Sequence, residues 1–191
     1  MRVENRNSKL AIMIVGLALT LFTFHVLSPA AAQAASASEI NRDARAALAK
    51  LYNNYPGSKA LADRAVGVLV FPSIVKGGFI FAGQFGDGVL LRGGKSTAYY
   101  RSLAVSYGFQ AGMQAFGYVL FFMDEASLQY LSNSEGFELG VGPSLVVLDE
   151  GFGKNLSTTT LQRGVYAFIF DQKGLMGGVG IQGTKITKIN P

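Results

Sequence analysis

Apolar and polar positions recur with two different periods along this chain, and the change of period divides it. After "SASE" at residues 36–39, Ile40, Ala44, Ala47, Leu48, Leu51 and Tyr55 follow at three- and four-residue steps, the spacing that lines one face of an α-helix. Ser36 with Glu39 three residues later is a capping-box pattern. An amphipathic helix is therefore predicted over residues 39–54, docked by its Ile40/Leu48/Leu51 stripe. "NNYPG" ends it, and "SKALADRAVG" predicts a second short helix that stops at Gly67. From there the apolar runs are short and rich in β-branched and aromatic residues. "VGVLVFP" predicts a buried strand, and "GGFIFAGQF" with "GVLLR" predicts a hairpin about Gly86-Asp87-Gly88. "AFGYVLFFM" is a further strand, and "DEASLQYLSNSEG" is one later helix, capped by Asp124 with Leu128 and Leu131 inward. "FELGVGPSLVVL" and "GVYAFIF" read as strands, and "DQKG" turns the latter into a closing hairpin with "LMGGVGIQGTKI". The chain holds 24 glycines, and those inside strand runs mark bulges, bends or close backbone approach. The expected fold is α+β: a strongly curved antiparallel β-sheet, its closure into a barrel left open, with helices at its N-terminal side and one later helix.

The first 34 residues follow a different pattern. "MRVENRNSK" is basic, "LAIMIVGLALTLFTFHVL" is apolar almost throughout, and "SPAAAQAASA" offers Ala-x-Ala sites. That order is a secretory signal peptide. We expect cleavage near Ala34, export to the periplasm or envelope, and a single domain over residues 35–191. An uncut membrane anchor is the alternative, because the apolar run approaches the roughly 18 residues a span requires.

Removing that segment narrows the chemistry. The sequence has no Cys and no Trp, and its one histidine is His25. Residues 35–191 therefore cannot build the usual zinc sites, Cys-His pairs or Ser-His-Asp triads. "GDGVLLRGGKST", residues 86–97, looks like a phosphate-binding loop, but the motif needs a glycine where Val89 stands. Its body is apolar, so a tight turn between two strands is expected instead. Asp124-Glu125 fits a helix start, where acids favour the dipole, and Asp149-Glu150 fits a turn. Ser73 and Lys76 match a Ser-x-x-Lys pattern without the helix start that Ser-Lys hydrolases need. No enzyme activity, metal or cofactor is expected.

Charge is segregated. Residues 35–101 carry nine Lys/Arg against four acids, residues 102–153 carry six acids and no Lys or Arg, and residues 154–191 carry five Lys/Arg and one acid. The balance is too small for a general nucleic-acid binder, yet the basic first third can face an anionic partner.

At "GVLVFPSIVKGGFIFAGQFGDGVLLR" the sequence resembles the SYLF domain family. The blocks that carry the resemblance are Phe71-Pro72-Ser73 with Lys76, Gly77 and Gly78; Gly86-Asp87-Gly88-Val89-Leu90; Gly108-Phe109-Gln110-Ala111-Gly112; "YVLFFMDEASLQYL"; and "GLMGGVGIQG" at residues 174–183. The resemblance spans roughly residues 40–189 and implies a non-catalytic lipid-binding module, which in bacteria is an exported single domain. Its partner would be an anionic phospholipid or membrane surface. The chain departs from the family's Ser-Arg-Ser-Arg-Gly pattern, with Phe170-Asp171-Gln172-Lys173-Gly174 in its place, so a head-group role does not carry over to that turn.

On this reading Lys76, Arg92, Lys95 and Arg101 are candidate phosphate contacts in one patch, since Arg binds phosphate bidentately and Lys as a point charge. Arg42, Arg45 and Lys50, opposite the apolar stripe of the first helix, form a second candidate lipid surface. Tyr99 and Tyr100 are read as strand residues. The alternative function is an envelope scaffold that binds proteins through an exposed sheet edge.

Overall fold

The computed structural model describes residues 35–78, 81–107, 112–133, 137–138, 144–148, 164–174 and 183–191. The N-terminal segment, Asp149-Glu150, residues 108–111 of one glycine block and residues 175–182 of another lie outside the described residues. The compact unit runs from Ala35 to Pro191.

The chain opens with α1 (Ala37–Asn54) and α2 (Pro56–Arg64). Ser36 caps α1: its hydroxyl accepts from the Glu39 amide at 3.3 Å and its own amide donates to the Glu39 carboxylate at 2.8 Å. These bonds to Ser36 hold the Glu39 carboxyl below its ordinary range. Pro56 starts α2 at a position where no amide hydrogen is needed. Strands β1 (Gly67–Gly78), β2 (Phe81–Arg92), β3 (Lys95–Tyr107) and β4 (Gly112–Phe122) follow, then α3 (Glu125–Asn133). The chain ends with β5 (Phe137–Glu138), β6 (Leu145–Leu148), β7 (Val165–Gly174) and β8 (Lys185–Ile189). Together they form one eight-stranded sheet in the order β5-β8-β3-β2-β1-β4-β7-β6, with β5 and β6 at its edges, so it does not close.

The fold is α+β, as expected, with three local differences. Gly86-Asp87-Gly88 is not a turn: β2 runs straight through it, and the hairpin turns instead at Gly93-Gly94, both at positive φ. "DQKG" is not a turn either, because β7 continues to Gly174 past an irregularity at Asp171, which has φ 55°. The last strand closes no hairpin with β7: β8 pairs with β3 and β5, while β7 pairs with β4 and, in parallel, with β6. The sheet is therefore mixed, with this single parallel ladder among antiparallel ones in the described residues.

The sheet is curled, and one hydrogen bond shows how far. Strands β3 and β4 are separated by β2 and β1, about 14 Å in a flat sheet at ~4.8 Å per strand. Yet the Tyr118 hydroxyl of β4 donates to Ser102 Oγ of β3 at 2.7 Å. The inner face must be concave for these side chains to meet. The sequence permits this by omitting side chains there. A Cβ at Gly88 would come within 2.4 Å of Val70 O and 2.6 Å of the Phe71 ring, and one at Gly86 within 2.5 Å of Ile74 Cδ1. These approaches come where β1 leaves regular register at Pro72-Ser73.

Two cores result. Leu69, Phe71, Ile74, Tyr118, Leu120 and Phe122 fill the concave side under Leu128 and Leu131 of α3. On the convex side Ile40, Ala44, Leu48 and Leu51 of α1 and Leu61 of α2 cover Val68, Val70, Val89, Val119 and Phe168. The predicted stripe is thus the docked face of α1.

Two outcomes follow from this packing. Gly88→Ala must displace backbone on β1 and should cost about 1–3 kcal/mol, whereas Gly83→Ala, with nothing within 4 Å of its Cβ, should stay within about 0.5 kcal/mol. Leu48→Asp should cost about 3 kcal/mol through lost packing and a buried charge. Denaturant midpoints measure all three.

Candidate functional site

The helices cover only part of the convex face. Val89 lies under them, and Phe85 and Phe81 stand on the same face of β2, four and eight residues earlier. Register carries that face across the sheet: Val75 is opposite Phe85, Phe85 opposite Leu103, Gly77 opposite Met113, and Gly83 opposite Val105. Val75, Phe81, Phe85, Leu103, Val105 and Met113 therefore share one surface, and each is between 44% and 77% exposed. Gly77 and Gly83 leave the floor between Met113 and Val105 flat. Contiguous apolar surface of this kind marks an interaction site.

Charge rims this surface. Lys185 stands opposite Leu103 and Lys173 opposite Ala115, both exposed on the same face. Glu138 lies across from Lys185 on the edge strand. Beside Phe85, Arg101 makes two bonds to the nearly buried Asp87 carboxylate, at 2.8 and 3.0 Å, and its guanidinium sits 4.8 Å from the Phe85 ring centroid. The hydrogen bond to Asp87 pushes the Arg101 pKa up.

The expected phosphate patch is not assembled. Lys76 is opposite Gln84, eight residues along β2 from Arg92, or about 26 Å at ~3.3 Å per residue. It also points to the concave face, whereas Arg101 points to the convex one. Arg92 pairs with Glu125, Arg42 with Asp43 at 2.9 Å, and Lys50 with Asp171 at 2.6 and 2.7 Å. The last pair flanks an open groove of about 360 Å³ lined also by Asp43, Pro72 and Ser73. What the structure does join is one member of the helix set with two of the other. Arg45 Nη2 donates to Gly94 O at 3.5 Å, and Ser96 Oγ to Asn41 Oδ1 at 2.6 Å, so Arg45 meets the turn that carries Arg92 and the exposed Lys95. This basic cluster lies at the opposite end of β2 from the apolar surface.

The remaining candidates for chemistry have local duties. Asp124 Oδ1 accepts from Ser127 N at 2.8 Å, capping α3, and its Oδ2 accepts from Gly164 N at 2.7 Å. Ser73 and Lys76 lie on a strand, not at the start of a helix. Tyr99 and Tyr100 are strand residues, with the Tyr99 hydroxyl accepting from Asn41 at 2.7 Å.

The concave side ends in a polar cluster. Lys76 is opposite Gln84 on β2 and Gln114 on β4, so all three share a face. Gln84 Nε2 donates to the buried Thr184 Oγ1 at 3.5 Å, and Gln114 Oε1 is buried without a partner among the described residues. Deeper on the same face, burial drives the Tyr118 phenol pKa upward despite its bond to Ser102.

Sequence reasoning missed the exposed apolar surface and Lys173 and Lys185. The alternate apolar positions of "FIFAGQF", "SLAVSY" and "GMQAF" were visible, but alternation alone does not say which part of a face a helix covers.

The family model described as "Ysc84: Las17-binding protein actin regulator" matches residues 103–190, somewhat less than half of the chain. The match takes in β3 from Leu103 through β8, with Leu103, Val105, Met113, Lys173 and Lys185 inside it. No curated protein matches the chain. The family points to a lipid- or actin-related binding module. Residues 103–190 thus match the model of the Ysc84 (SYLF) family, the same family that the chain's glycine and Phe-Pro-Ser blocks resemble.

Proposed function

We propose that the protein is a non-enzymatic phospholipid-binding module, exported to the cell envelope, that docks on an anionic membrane surface through the bare end of its sheet. The observation that carries this reading is the run of six large apolar side chains on one face, all at least 44% exposed. Water penalises such a surface by ~25 cal/mol per Å², and the acyl boundary of a bilayer removes the penalty. Lys173 and Lys185 flank it, each worth roughly 1 kcal/mol near an anionic surface. Four of the seven basic residues singled out from sequence, Arg42, Lys50, Arg92 and Arg101, already have carboxylate partners, which favours a docking led by apolar contact over one led by the helix or the turn. Export rests on the basic–apolar–Ala-x-Ala order of the N-terminal residues.

Co-sedimentation with phosphatidylglycerol/phosphatidylcholine vesicles tests the reading. Val105→Asp combined with Met113→Asp should lower partitioning about a hundredfold, each tenfold step being ~1.4 kcal/mol. Arg45→Ala combined with Lys95→Ala should change it little. The reverse pattern would place the lipid surface at the basic turn, and no sedimentation of the unmutated protein would favour a protein partner for the apolar face.

A further inference from the structure

The same end of the sheet has an inner face, and its composition is unlike that of the outer one. We propose that Lys76, Gln84 and Gln114 form a binding site for a phosphate ester that carries a free hydroxyl, of the glycerophosphate type. The proposal rests on the docking reading only for the source of that ligand, a lipid head group.

Directly opposed residues on antiparallel strands have Cα atoms about 4.5–5.5 Å apart and side chains on one face. Lys76 stands between Gln84 and Gln114 in this way, one on each side. Both glutamines are buried, at 3% and 6% exposure, and Lys76 is partly buried. Among the described residues no carboxylate pairs with Lys76, and its neighbours on this face, Ile74, Gly78, Ala82, Gly86 and Phe116, carry no charge. A partly buried ammonium without a counterion and a buried carboxamide oxygen without a donor each cost stability, and native proteins seldom keep them without use.

The two deficits are complementary to one class of ligand. The Lys76 ammonium and the Gln84 amide group supply donors for phosphate oxygens. A phosphodiester group alone would leave Gln114 Oε1 unpaired, because it carries no proton to donate to it. A hydroxyl on the carbon chain next to the phosphate supplies the missing proton. Position agrees with a membrane source. Lys76 is two residues, about 7 Å, from the end of β1, at the same end of the sheet where Phe81 and Met113 are exposed on the outer face. With the outer face against the acyl boundary, the inner face lies at the level of the lipid phosphates.

Isothermal titration of the full chain with dihexanoyl-phosphatidylglycerol below its micellar concentration, with sn-glycerol 3-phosphate, and with dimethyl phosphate tests this without a bilayer. Lys76→Met should weaken the short-chain lipid at least tenfold, and Lys76→Arg should keep most of the affinity. Gln114→Leu should weaken the two glycerol-bearing probes but leave dimethyl phosphate unchanged, which a merely structural role of Gln114 would not do. Both Lys76→Met and Gln114→Leu remove an unpaired polar group, so unfolding midpoints should hold or rise. Lipid binding without glycerol 3-phosphate binding identifies a head-group site, and equal binding of the two identifies a soluble phosphate ester; either supports the site. No binding of any probe, or full affinity in Lys76→Met, overturns it and leaves Gln114 Oε1 to water. The Val105→Asp/Met113→Asp protein separates the two proposals: retained short-chain binding with lost vesicle docking supports this site, whereas vesicle docking by the unmutated protein without short-chain binding supports only the other.

Discussion

The close approach of β1 and β2 on the concave face is the constraint on which the rest depends. Phe71 and Ile74 lie where Cβ atoms of Gly88 and Gly86 would have to be. Because those atoms are missing, the sheet curls until Tyr118 reaches Ser102 across two intervening strands. Curling creates an inside, closed by α3, and an outside, which α1 and α2 cover only in part. The strands extend past the helices at the end where β1 meets Gly78 and β2 begins at Phe81. The outer side of that end is apolar and bare, and its inner side carries the buried glutamines and Lys76.

Charge is placed so as to leave that end distinctive. Arginines at the helix, the turn and the middle of the sheet are matched locally by Asp43, Glu125 and Asp87. Exposed pairs of this sort add little stability, but they do reduce the attraction each cation could offer an anionic surface. The Arg101–Asp87 pair differs in having a nearly buried carboxylate, and its guanidinium lies over the ring of Phe85. A cation chosen from sequence as a phosphate contact thus serves to stiffen the apolar surface, while the less conspicuous Lys173 and Lys185 border it.

Much of the fold was legible in the sequence because local rules decided it. The Ser36–Glu39 box and the four-residue stripe fixed α1, and Asp124 fixed the start of α3. The Gly-Gly of "RGGKS" was a strand turn, as its apolar lead predicted. Errors arose where glycine has two uses. In Gly86-Asp87-Gly88 it allows two strands to approach, not the chain to reverse, and no local signal separates the two. The pairing of β8 with β3 is non-local and left no trace in spacing. The candidate site was hardest to read. Seven basic residues were chosen by type, but whether an arginine is matched by an acid 14 or 33 residues away depends on tertiary structure. The partial cover of one sheet face is equally invisible to periodicity.

The central claim is that the bare sheet end enters the membrane interface. The chain contains no tryptophan, so a single one reports its own surroundings. With Trp in place of Val105, emission should shift to the blue on adding phosphatidylglycerol vesicles and be quenched by lipids brominated along the acyl chain, while Trp in place of Lys95 should show neither change. If the reporter at position 105 stays in water while the protein sediments with the vesicles, the account of how this sheet meets lipid is wrong.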